Sequence, residues 1–221
     1  MYIPTSFAER DLPTLHAFLE TNPLAALVTS SPQEGLFGTH LPLLLDRANG
    51  PLGTLFGHLA RANPHARCIS DVAIPCLAIF TGPQAYITPE WYVTKQQTGR
   101  VVPTWNYVAV HASGTLRLRN DPAFLRAHLE ALTRQHEANR TPAWHVSDAP
   151  AEFIEQQMKA IVAIELTIDR LEGKWKMSQN RSAADIDGVI RGLEASGTVR
   201  DQAVAAVVRA RRPAERGSHG P

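Results

Sequence analysis

Apolar, β-branched segments recur between residues 24 and 171, and helices interrupt them one at a time; this order constrains the fold more than any other feature of the chain. A doubly wound protein alternates strand and helix, whereas single helices inserted among successive strands predict an antiparallel, barrel-like sheet. The expected class is therefore mainly β with α (α+β), with peripheral helices. Alternation and β-branched content place strands at 24–30, 36–45, 52–60, 76–80, 84–88, 101–119 and 161–171. Asp46, Asn49, Gly50 and Pro51 lie between two of these and predict a hairpin. A turn is expected at 31–35, Gly82-Pro83 is expected to interrupt the sheet, and the polar stretch 89–100 reads as a loop. The 101–119 strand should bend near Pro103 and Gly114.

Helix starts are marked by capping residues and proline. Asp11 and Pro13 open an amphipathic helix with Leu12, Leu15, Phe18 and Leu19 on one face, and Asn22-Pro23 ends it. Asn63-Pro64 caps and begins a short helix to about 71, Asp121-Pro122 opens one to about 139, and residues 147–150 open another to about 159. After Arg181 two helices, 182–195 and 198–211, form a C-terminal hairpin around Ser196-Gly197. The expected organisation is a barrel domain over 1–181, the hairpin packed on it over 182–211, and a disordered tail over 212–221.

Charge and motif content narrow the function. With 22 basic against 21 acidic residues there is no global field drawing the protein to nucleic acid or an anionic membrane. No apolar run approaches the ~20 residues that span a bilayer, and the start lacks a signal-peptide pattern. Cys68 and Cys76 are expected to be reduced and buried, which suits a cytoplasmic protein. There is no GxSxG elbow, Walker loop or GxGxxG, so hydrolase and kinase chemistry is not expected. The nine histidines show no ligand spacing, so no metal site is expected. His40 and His58 lie on neighbouring strands where they could face each other, although a strand histidine is more often a satisfied part-core residue than a ligand, while His128 and His136 read as structural.

Three segments carry possible chemistry. Gly57–Pro64 ends a strand and starts a helix, placing His58, Ala60, Arg61 and Asn63 where a phosphate would bind; a solvated strand end with an ordinary cap is the plainer alternative. Trp105 and Tyr107 with Asn106 would wall a flat ring and bond its polar edge, or else form a core or subunit contact. Residues 173–181 combine Lys174, Lys176 and Arg181 with Trp175, Ser178, Gln179 and Asn180, which suits an anionic heteroaromatic ligand or a solvated basic loop.

Taken in order, Tyr2-Ile3-Pro4, Thr39-His40-Leu41-Pro42, residues 57–64, 82–87, 102–107, 147–150 and 171–181 closely resemble the PaiB-like FMN-binding negative transcriptional regulators. The resemblance covers about 1–195. It implies a split β-barrel related to pyridoxamine 5′-phosphate oxidase, forming a homodimer with FMN at two sites across the interface. By similarity, Thr39, His40, Leu41 and Pro42 lie beside the isoalloxazine, and Ala60, Arg61 and Asn63 meet the phosphate with His58 nearby. Trp105, Asn106, Lys176, Ser178, Gln179 and Arg181 reach in from the partner chain. Thr39 and Leu44 stand where the oxidase places basic residues, so pyridoxine-phosphate oxidation is not expected, and Asp185 has no clear acid–base role.

The function implied is a negative transcriptional regulator with bound flavin. An FMN-dependent oxidoreductase acting on a small molecule, with His58, Tyr107 or His111 as proton donor, is the alternative, and a passive flavin store is a third. DNA contact would fall to the hairpin, through Arg200, Arg209, Arg211 and Arg212, but its face of Ala203, Val204, Val207 and Val208 reads equally as packing on the barrel.

Overall fold

The computed structural model describes residues 1–31, 35–69 and 73–213. In chain order the elements are β1 (Ala8–Glu9), α1 (Leu12–Thr21), β2 (Leu24–Ser31), β3 (Gly35–Pro42), β4 (Leu44–Asp46), β5 (Thr54–Ala60) and α2 (Pro64–Cys68). Then come β6 (Ile74–Ile87), α3 (Val93–Thr98), β7 (Thr104–Arg119), α4 (Pro122–Glu137), α5 (Ala151–Lys159), β8 (Ile161–Lys176), α6 (Ala183–Ala195) and α7 (Val199–Ala210). The strands bond in the order β3-β2-β6-β7-β8-β5-β4, with β1 on β8 off that path. The pairs β1 with β8, β2 with β3, β2 with β6, β4 with β5 and β5 with β8 are all antiparallel, as the lack of strand–helix alternation predicts. Contacts divide the chain into a larger unit, Leu12–Phe80 with His111–Leu171, and a smaller one, Met1–Asp11, Thr81–Val110 and Glu172–Pro221.

In the larger unit β2 pairs with β3 from Leu24↔Pro42 to Ser31↔Gly35, and β5 pairs with β8 from Thr54↔Thr167 to Ala60↔Ile161. The predicted hairpin forms between β4 and β5, Asp46 opposite Thr54. Leu15, Leu19, Leu27, Leu43, Leu55, Phe80, Ile164 and Leu166 make its core, all but completely buried. At Gly114 an added Cβ would fall 1.9 Å from the Thr167 carbonyl oxygen, so the backbones of β7 and β8 approach closer than any side chain permits.

In the smaller unit α6 buries Ile186, Val189, Ile190 and Leu193, and α7 buries Val204, Ala205 and Val208. Both begin at a side-chain cap, Ser182 accepting from the Asp185 amide and Thr198 from the Asp201 amide. Gly188 and Gly192, one turn apart, seat α6 on Trp91: a Cβ would lie 1.9 Å from the Trp91 carbonyl oxygen and 2.3 Å from its ring. The hairpin arginines pair within the unit, Arg200 with Asp201, Arg209 with Glu194, Arg211 with Glu9 and Arg212 with Asp187.

Several expectations are corrected. The 36–45 strand breaks at the buried Leu43 into β3 and β4. Gly82-Pro83 does not interrupt β6. Registered pairing of β2 with β6 covers only Cys76 to Phe80, so proline's missing N–H falls beyond that ladder. The expected loop at 89–100 holds a 3-10 turn, Pro89–Trp91, and α3, which ends at Gly99 in the left-handed region (φ 65°). β8 runs on to Lys176 because Lys174 and Gly173 pair with Ala8 and Glu9, a contact no local pattern reveals. β7 starts at Thr104, and α5 starts at Ala151 after a 3-10 turn, Val146–Asp148. α2 ends at Cys68, and residues 70–72, like 32–34 of the expected turn and 214–221 of the expected tail, lie outside the described residues. Both cysteines are free, but only Cys76 is buried, its thiol pushed up to about 12 by that burial. Among the described residues no helix is long and apolar enough to cross a membrane, and no metal-binding cluster of three or more His, Cys, Asp or Glu occurs.

Candidate functional site

In the larger unit, strand end and helix cap combine into one hydrogen-bonded network. Asn63 caps α2, its Oδ1 accepting from the His65 amide at 3.0 Å while its Nδ2 donates to Thr39 Oγ1 at 3.2 Å. His65 is wholly buried, with Nδ1 2.9 Å from Thr39 Oγ1 and Nε2 2.8 Å from Thr29 Oγ1. Burial lowers the His65 pKa, so the ring is neutral and offers one N–H and one lone pair, matching two hydroxyls. β2, β3 and α2 are thereby tied together behind Thr39.

Arg61 is anchored at its base, its amide donating to the Ala160 carbonyl at 2.8 Å and its Nε to the Lys159 carbonyl at 3.1 Å. The terminal nitrogens of its guanidinium have no partner among the described residues, and the side chain is exposed beside the exposed Ala60. β3 closes one end of the strand order, so its residues Thr39, His40, Leu41 and Pro42 present edge backbone groups on the side away from β2. Along it His40 is exposed while Leu41 is buried.

His58 meets His128 on α4 and not His40: Nδ1 lies 3.2 Å from Nε2 of His128, with the rings edge to face. Burial lowers both pKa values, that of His128 to about 4 with His58 adding to the effect. Nδ1 of His128 is buried without a hydrogen-bond partner. His136, expected to be structural like His128, is exposed.

The smaller unit holds a cationic cluster. Lys176, at the end of β8, donates to the Trp105 carbonyl at 2.6 Å and to Thr104 Oγ1. Buried Asn106 donates to Ser178 Oγ at 2.9 Å, and Ser178 sits in the left-handed region (φ 66°). Gln179 braces the same turn, accepting from the Met177 amide and donating to the Trp175 carbonyl. Arg181 lies 4.8 Å over the Tyr92 ring. Lys174 is buried, donates to the Tyr2 carbonyl and faces the rings of Tyr107 and Tyr2. Burial lowers the pKa of Lys176, and Lys174 and Arg181 lower it further, so these like charges stress one another. A cavity of about 40 Å³ opens among Thr104, Asn106, Lys176, Ser178 and Arg181. Trp105 is half exposed, bonded through Nε1 to Gln84 and edge-on to Tyr86.

The structure thus gathers Thr39, Asn63 and, beside them, Ala60 and Arg61 in one unit, and Trp105, Asn106, Lys176, Ser178, Gln179 and Arg181 in the other. Sequence reasoning missed His65, Thr29, His128, Thr104 and Tyr92; only His65 carried a signal, lying two residues beyond the Asn63 cap. Within the larger unit the unpartnered guanidinium nitrogens of Arg61 suit a phosphate, and within the smaller unit the cation cluster beside the half-exposed indole suits an anionic or polar heteroaromatic group.

A mostly antiparallel sheet with added helices is the architecture of flavin-binding split barrels. The solved FAD and heme binding protein from Mycobacterium smegmatis superposes with a TM-score of 0.56 at 17% identity, over 76% of this chain and 73% of that one. Sequence carries the assignment further: the family described as "Putative FMN-binding domain" matches residues 1–170. The chain belongs to this family, and its cofactor is FMN. An uncharacterized protein of Emericella nidulans, AN0679, is 38% identical over 96% of this chain and 97% of its own length. Protease synthase and sporulation protein PAI 2 of Bacillus subtilis is 29% identical over 88% of this chain and 89% of its own.

Proposed function

We propose that the chain is a cytoplasmic, PaiB-type negative transcriptional regulator that works as a homodimer, with each FMN held by residues of both copies. The observation that carries the binding mode is the division of donors: Arg61 offers a free guanidinium but has no aromatic wall in its network, whereas Trp105 has cations beside it. In this reading Arg61, Asn63 and Ala60 hold the phosphate, and Thr39 is fixed by His65 so that its hydroxyl and the edge backbone through Pro42 bond the ring. Trp105, Asn106, Lys176, Ser178, Gln179 and Arg181 come from the second copy, covering the ring and excluding water. The PaiB-type reading rests on the likeness to the Bacillus subtilis protein named for protease synthesis and sporulation, 29% identical over 88% of this chain. DNA contact in this reading does not rest on the hairpin arginines, which already have carboxylate partners.

A second reading is an FMN-dependent oxidoreductase. Bound FMN supplies two-electron redox chemistry to a small molecule. It is favoured by His58, which burial keeps neutral and which shares a hydrogen bond with His128, leaving a proton that can be relayed between the two rings. Sedimentation equilibrium and the FMN-to-chain ratio test the binding mode, and monomeric holoprotein would overturn it. Fluorescence anisotropy with promoter DNA at two salt concentrations, run beside NADPH-dependent bleaching of the bound flavin, separates the two roles. Salt-resistant specific DNA binding without bleaching supports the regulator, and rapid bleaching without DNA binding the oxidoreductase.

A further inference from the structure

A cavity of about 580 Å³ in the larger unit is used by neither polar network, apart from Arg61 at its border. It opens where the first turn of α4 meets the last turn of α5 over the start of β8. Its floor is apolar, formed by Leu125, Met158 and Val162. α5 buries none of its residues fully, although Phe153, Ile154 and Met158 give it an apolar side, of which Phe153 is exposed and Met158 borders the space.

The wall is basic. Arg126 and Lys159 both line it, and among the described residues neither side chain has a hydrogen bond or ion pair. Arg119 also contributes, but its guanidinium is held by Glu165 and lies over Phe124. Of the two carboxylates present, Asp121 is engaged by the Ala123 and Phe124 amides as the cap of α4, and Glu155 is exposed on α5. Among the described residues the lining therefore carries Arg126 and Lys159 unpaired, beside the unpartnered terminal nitrogens of Arg61, over an apolar floor, within the size range of small-molecule sites of about 300–1,000 Å³.

We propose that this cavity binds a small amphipathic acid, its carboxylate held between Arg126 and Lys159 and its hydrocarbon body lying on Leu125, Met158 and Val162. An apolar floor takes the body out of water, and the guanidinium gives a fork for both carboxylate oxygens. Met158, unbranched and adaptable, lets the floor fit bodies of different shape. The site is separate from the flavin and touches that reading only at Arg61. If Arg61 holds the FMN phosphate, an acid in the cavity bears on flavin binding through that one side chain.

Calorimetric titration of FMN-saturated protein with decanoate tests the proposal. The expected result is one saturable site per chain, weakened at least tenfold in R126E/K159E and at least tenfold for decanol, which has the body without the charge. M158W, which fills the floor, should abolish binding while the flavin absorbance of the protein stays as in the wild type. Absence of saturable heat, equal binding by R126E/K159E, or equal binding of decanol would each overturn it. Stoichiometric release of FMN by decanoate would overturn the separate site, because the cavity would then be the flavin's own. Failure of the Arg61 assignment would show instead as unchanged FMN affinity in R61A with decanoate binding intact.

Discussion

The two polar networks solve the same problem by opposite means. In the larger unit a neutral ring, two hydroxyls and an amide are mutually satisfied, so Thr39 is held rigidly with little charge involved. In the smaller unit Lys174, Lys176 and Arg181 are brought together against their own repulsion, and the turn they surround is bent into a left-handed residue. A network complete in itself supports the fold whether or not a ligand is present. One under like-charge stress gains most when an anion arrives. The first is therefore expected to govern stability and the second affinity, and the following measurements separate the two.

The largest effect belongs to the histidines of the larger unit. His128 titrates near 4 in the fold against about 6.5 unfolded, so the unfolded chain takes up the proton first as pH falls. Stability is complete above about 6.5 and is lost as pH drops toward 4, by about 3 kcal/mol from this group. Chemical denaturation across that range should show the loss, and His128→Phe should flatten it; an equal slope in the variant would contradict the assignment. Next, His65→Leu strands the buried Thr29 hydroxyl and should cost about 2 kcal/mol, read as a lower midpoint in urea. His65→Gln, with a donor and an acceptor, should recover part of it.

In the smaller unit, Lys176→Met removes one of three crowded cations. Stability in the absence of flavin should change little, while FMN affinity falls about tenfold, as for a loss of about 1.4 kcal/mol. The affinity of the wild type should fall with salt more steeply than that of the variant. A large loss of stability with unchanged affinity would reverse the contrast between the networks. The smallest effect is at Ser178. Ser178→Ala keeps the left-handed strain and loses the bond to Asn106, costing about 1 kcal/mol, whereas Ser178→Gly also relieves the strain and should lie close to the wild type.

How much of this was legible in the sequence follows from the range of each interaction. The Asn63-Pro64 cap and the run from Lys174 to Arg181 are local, and both lie where their residue types suggest. The hairpin of β4 and β5 was equally readable, because Asn49-Gly50 sits between its strands. The last residues of β8 were not, because their partners are Ala8 and Glu9 at the other end of the chain. The partner of His58 was hidden for the same reason. Strand adjacency suggested His40, but its partner is 70 residues away on a helix whose placement no periodicity gives. His65 had a local signal in its place two residues beyond the Asn63 cap, but not in its ring's bonds to threonines on two strands, which are non-local.

The seat of α6 on Trp91 has a consequence for signalling. Two glycines press a helix backbone against a carbonyl on one turn and an indole on the next, with no room for a methyl group between them. Joined this way, the C-terminal hairpin is a cog meshed with the 89–91 turn and not an arm on a hinge. Any message it relays must travel as displacement of that turn, and a relative with a bulky residue at position 188 must carry the turn elsewhere.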